Sequence, residues 1–179
     1  MGIFYFDDKL QAYEGLYQWE QALNYLEDLY SERKDPRILC SLVGFSWFYL
    51  MEGSVVSKKY ENGYNTMALE TWKKYIDIGV LEANEDPFFN FIAGYTLSLH
   101  GYHIGEEYEK SGNKFIENCV NSSKDVLLQQ LAENFILNEH SKRYIPVKNG
   151  EEICSQFFNG SSLLDEYFRE IYTSKRKLP

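Results

Sequence analysis

This 179-residue chain has little basic charge, little cysteine and little histidine. Eighteen Lys and Arg face 27 Asp and Glu, a formal net charge of −9. Binding along a phosphate backbone draws its affinity from counterions released by a basic surface, so direct contact with nucleic acid is excluded. An anionic membrane face is excluded on the same ground. The three cysteines, Cys40, Cys119 and Cys154, contain no Cys-x2-Cys pair; structural zinc is not signalled, and they read as buried reduced thiols. The uncharged stretches Ile38 to Met51 and Pro87 to Gly105 fall short of the ~20 mostly apolar residues of a spanning helix and read as core helices. No charged-then-apolar leader opens Met1-Gly2-Ile3-Phe4-Tyr5-Phe6, so a cytoplasmic location is expected. Gly-x-Ser-x-Gly, phosphate-cradling glycine loops and His-Glu-x-x-His are all missing. An enzyme with a cofactor is therefore not expected.

A period near 3.6 dominates what is present. Leu16, Trp19, Leu23, Leu26 and Tyr30 form one apolar stripe, with Glu20, Glu27 and Asp28 off it, which predicts an amphipathic helix over 8–31. Asp35-Pro36 and Asp86-Pro87 each pair an N-cap oxygen with a residue preset for the first helical turn, predicting helices over 36–52 and 87–100. Others follow at 66–78, 104–120, 125–138, 151–158 and 162–173, with Gly53 and Gly79 as stops and an ordered loop over 139–150. The expected fold class is all-α, a single domain over 1–179. It divides into hairpins 8–53, 64–101 and 104–138, followed by a C-terminal loop and a capping helix over 139–179.

Trp19 and Trp72, Asp35-Pro36 and Asp86-Pro87, Gly44-Phe45 and Gly94-Tyr95, and Gly53 and Gly101 recur roughly 50 residues apart, the mark of a repeated helical hairpin. The hairpin-opening Trp, the mid-helix glycines and Gly101-Tyr102 resemble tetratricopeptide-type repeats, although that family's spacing is ~34 residues. The resemblance implies a stack of paired helices, with Gly44 and Gly94 at close crossings. In general character the chain is also similar to small acidic bacterial immunity proteins, which neutralise a toxic nuclease domain.

Three functions compete. His100-x2-His103-x2-Glu106 has the spacing of metal ligands on one helix face, but Gly101 and Gly105 interrupt that helix, so no metal is expected. Acid concentrates on the first helices of the hairpins, where Glu14, Glu20, Glu27, Glu70, Asp77 and Glu109 are interleaved with Tyr17 and Tyr108. These eight are the candidate partner-binding residues. Their complement is a basic protein, such as a toxin or nuclease domain, and the expected function is its inhibition by direct binding. The alternative is a helical-repeat adaptor or secretion chaperone that cradles a peptide. The 30 aromatic residues, 17% of the chain, suit either interface.

Overall fold

In the computed structural model the described residues are 2–56, 66–141 and 145–173, with the backbone alone over 52–56. Among them the fold is all-α, with no strand. The helices are α1 Asp8–Gly15, α2 Trp19–Arg33, α3 Pro36–Val56, α4 Thr66–Glu82, α5 Pro87–His100, α6 Glu106–Ser122, α7 Val126–His140, α8 Gly150–Phe157 and α9 Leu163–Thr173, with a 3-10 turn at Gly101–His103. Both Asp-Pro starts form as expected: Asp35 accepts from the Arg37 amide at 2.8 Å and Asp86 from the Phe89 amide at 2.8 Å. The polar connection at 58–63 and the basic tail at 175–177 lie outside the described residues.

Three boundaries depart from expectation. The helix expected over 8–31 is two helices, because α1 ends in a Schellman turn. The Gln18 amide donates to the Tyr13 carbonyl and the Tyr17 amide to the Glu14 carbonyl, with Tyr17 left-handed at φ 55°. Leu16 is consequently 66% exposed, although it stands in phase with the buried Trp19, Leu23, Leu26 and Tyr30. Gly53 does not stop α3, which continues to Val56. Gly79 does not stop α4 either; a Cβ there would lie 2.1 Å from the Phe89 ring, so the glycine serves the close contact of α4 with α5.

Helices α2, α4 and α6 stand in a row. Lys74 pairs with Glu27 at 2.8 Å, and the Tyr30 hydroxyl donates to Glu82 at 2.7 Å, joining α2 to α4. The Tyr108 hydroxyl donates to Asp77 at 2.7 Å, joining α4 to α6. Behind them α3, α5 and α7 form a second row, linked by Trp47–Tyr95 and Tyr95–Phe135 ring contacts at 5.8 and 5.2 Å. The most extensive neighbouring pairs are α5 with α6 and α3 with α4. Gly94 sits at a helix crossing, where a Cβ would be 2.9 Å from the Ile116 backbone nitrogen; Gly44 faces Leu164 and Phe4 side chains instead.

The C-terminal helix packs on the second row. Tyr167 packs on Trp47, and Phe168 on Tyr95 and Phe91. Phe158 stacks on Phe168 at 4.7 Å and 9°, and Phe4 joins them at 5.8 Å from Phe168. The Ile3 amide donates to the Phe157 carbonyl at 2.9 Å, so the N-terminal strip is tied to the C-terminal segment. Helices α3 and α5 are thus covered on both sides, which is why most of their described side chains are buried, including every one over 38–47 and 89–97.

Candidate partner-binding face

The eight candidate residues fall into three groups. Tyr17, Glu20, Glu70, Asp77 and Glu109 are exposed, on the turn before α2 and on α2, α4 and α6. Glu27 and Tyr108 are half-buried and serve the seams between helices. Glu27 is held by Lys74. Tyr108 donates to Asp77 while the Lys73 ammonium lies 5.5 Å from its ring centre. Burial and the Asp77 carboxylate raise the Tyr108 phenol to about 12.

Glu14 alone departs from a surface position, at 6% exposure. Its Oε2 accepts the Leu163 amide of α9 at 3.1 Å. Helix α9 carries a capping box in which Ser162 and Asp165 satisfy each other's amides at 3.1 and 3.4 Å. The Leu163 amide is a further orphan donor of that first turn, and Glu14 supplies its acceptor. Burial raises the Glu14 carboxyl to about 7, and the neighbouring Asp165 and Glu166 carboxylates push the same way.

Most lysines along the row are engaged. Besides Lys74 on Glu27, Lys34 reaches Glu82 at 3.4 Å and Lys110 reaches Glu106 at 2.5 Å, while Lys73 covers the Tyr108 ring. Exposed ion pairs of this kind are worth only ~0–1 kcal/mol, yet they neutralise the local bases. Asp28, Glu70 and Glu109 stand beside them on the outward sides of the same helices. The row as a whole is acidic, and Tyr17 and Leu16 give it an apolar corner at the turn between α1 and α2.

The histidine cluster is structural in its contacts. The Trp47 indole donates to His100 Nδ1 at 3.0 Å, which fixes the neutral tautomer with its proton on Nε2. Burial lowers both His100 and His103, and the two rings stack at 6.1 Å. Among the described residues no three His, Cys, Asp or Glu side chains converge as metal ligands. The three cysteines are buried, and burial raises all three thiols. Among the described residues no helix is long and apolar enough to cross a membrane. No protein-family model, curated protein or solved structure matches the chain.

Proposed function

We infer that this chain is a protein-binding inhibitor of the immunity type, which neutralises a basic, nuclease-type toxin domain in the cytoplasm by direct binding. It acts without a cofactor and touches neither nucleic acid nor membrane. The observation that carries this reading is the row formed by α2, α4 and α6: carboxylates from three separate helices share one side of the molecule, and the lysines among them are mostly engaged. An enzyme that grips nucleic acid carries the complementary field. Such complementarity raises association rates to ~10⁸–10⁹ M⁻¹s⁻¹ at low salt, the property an inhibitor that must act before damage needs.

The test begins with isolation of the complex from the native host and identification of the partner. Two triple variants are then compared in association kinetics. Glu20→Lys, Glu70→Lys and Glu109→Lys reverse charge on the row while leaving the Glu27–Lys74 and Asp77–Tyr108 links intact. Glu133→Lys, Glu152→Lys and Glu170→Lys make the same charge change on exposed positions of α7, α8 and α9. The first set is expected to slow association at least tenfold and flatten its salt dependence; the second is expected to leave both nearly unchanged. Equal slowing by the two sets reduces the effect to net charge. No slowing by either means the partner is not basic, and a peptide-cradling adaptor then accounts better for the helical row.

A further inference from the structure

Where α1 meets the start of α9 there is a cavity of about 220 Å³ lined by Gln11, Glu14, Gly15, Tyr17, Ser161 and Leu163. It is smaller than the ~300–1,000 Å³ of ordinary small-molecule sites, and it suits one inserted side chain. A carboxyl lines it: Glu14 Oε2 accepts from the Leu163 amide, and among the described residues its Oε1 accepts no hydrogen bond. The ionisable groups around it are Asp165 and Glu166 of α9 and the Tyr17 phenol. Asp165 is already occupied by the Ser162 hydroxyl at 2.5 Å. The electrostatic neighbours that shift Glu14 are thus two further carboxylates, while the Arg169 guanidinium of α9 acts on Asp165 and donates to the Phe158 and Gly160 carbonyls.

Tyr17, which also lines the cavity, is held in place at a conformational cost. It occupies the left-handed position of the Schellman turn, φ 55°, where glycine is relaxed and a bulky side chain is strained. The residue is 64% exposed, its ring standing edge-on to Trp19 at 5.8 Å. The chain does have a glycine in this stretch, Gly15, but two residues before the position that calls for one. Strain retained at the mouth of a cavity motivates a functional reading.

We propose that this cavity is the socket for an arginine side chain of the basic partner, its guanidinium paired with Glu14 and stacked against Tyr17. The proposal rests on the reading of the chain as a binder of a basic protein and locates that binder's anchor. Arginine fits better than lysine. A planar guanidinium presents several donors at once, enough for Glu14 Oε1, the Gln11 amide oxygen and the Ser161 hydroxyl, and it stacks on an aromatic face. Buried arginines packed on tyrosine are among the residues that most often dominate protein interfaces. Binding of the cation favours the ionised carboxylate, so occupancy of the socket releases a proton from Glu14 wherever the free carboxyl is still protonated. Affinity therefore rises with pH through the neutral range and levels off above it.

The experiment needs no knowledge of the partner. N-acetyl-L-arginine methylamide is titrated into the isotopically labelled protein and followed by NMR, with the citrulline analogue, of equal shape and no charge, as control. The expected result is saturable shifts at Gln11, Glu14, Tyr17 and Ser161, with the citrulline compound binding at least tenfold more weakly. Affinity for the arginine compound should increase severalfold from pH 6 to pH 8. Glu14→Gln keeps an acceptor for the Leu163 amide, so the fold is retained, and should weaken binding at least tenfold at pH 8 while abolishing the pH dependence. Tyr17→Gly relaxes the turn and should weaken binding while the spectrum stays that of the folded protein. Equal binding of the two compounds, shifts that map elsewhere, or indifference to Glu14→Gln would each overturn the socket. Its loss leaves the charge-reversal result on α2, α4 and α6 untouched, whereas arginine binding here beside a row indifferent to charge reversal would leave the site and remove its basic-protein occupant, so the two failures are distinguishable.

Discussion

A carboxyl taken out of water with other carboxylates for neighbours keeps its proton to higher pH, and the protein's stability then depends on that proton. The folded Glu14 carboxyl titrates at about 7, against an ordinary value of 4.5. Between these values the folded state holds a proton that the unfolded chain has lost. The contribution of Glu14 to stability is therefore complete below pH 4.5 and is lost as pH rises through 7. At one pKa unit per ~1.4 kcal/mol, the complete loss is about 3.5 kcal/mol, of which about 2.5 kcal/mol falls between pH 5 and pH 8. Glu14→Gln carries no such proton. Urea unfolding should show wild type weakening relative to this variant by that amount from pH 5 to pH 8; parallel profiles would mean that Glu14 is hydrated in solution. Asp165 is also raised by burial, against its hydrogen bonds from Ser162, and since both proteins retain it the difference isolates Glu14. Nothing local in the sequence announces that Glu14, unlike the other candidate carboxylates, is buried. Glu14 and Leu163 are 149 positions apart, and their pairing follows only from where α9 comes to rest.

At the scale of the element, glycines decide how near two helices come. On the α5–α6 seam a Cβ at Gly94 would lie 2.9 Å from the Ile116 backbone nitrogen, and one at Gly112 would lie 2.6 Å from the Ser98 nitrogen. Backbone cannot yield as a flexible side chain can, so Gly94→Ala and Gly112→Ala should each destabilise by ~1–3 kcal/mol through overpacking. Gly15 has nothing within 4 Å of a built Cβ and lies at the end of α1 at negative φ. Gly15→Ala should therefore stabilise by ~0.4–1 kcal/mol, and thermal unfolding of the three variants checks both signs. The same residues show which elements were legible. The 3.6 period and the two Asp-Pro caps located α5 to the residue and the other long helices closely, because those signals are local. The break at Tyr17 was hidden because Leu16 preserves the apolar phase across a turn it does not help to bury. Gly79 looked like a stop because the ring that excludes its Cβ, that of Phe89, belongs to the next helix. The acidic character of α2, α4 and α6 was visible in composition; which carboxylates are committed to seams was not, since Lys74 and Tyr108 reach them from neighbouring helices.

For the whole molecule, the position of α9 changes how the chain should unfold. A linear array of helical hairpins has only nearest-neighbour interfaces, so its units can melt in sequence. Here α9 bridges α3 and α5 through Tyr167 and Phe168, and the N-terminal strip packs under it through Phe4. The first and last described segments therefore enclose the middle of the chain, and opening any one pair of helices exposes apolar surface belonging to several others. Unfolding should be two-state, with the calorimetric and van't Hoff enthalpies equal. Phe168 is 1% exposed and contacts rings from the N-terminal strip, from α5 and from the segment before α9. Phe168→Ala should cost ~3–5 kcal/mol, lowering the melting temperature by ~2–4 °C per kcal/mol for a chain of this size. If α9 binds the molecule into one unit, native-state hydrogen exchange in this variant should accelerate for the slowest amides of α3 and α5 and of α2 and α7 alike, by the same free energy. Acceleration confined to α8, α9 and the N-terminal strip would show that they form a separable cover over an array that melts by itself.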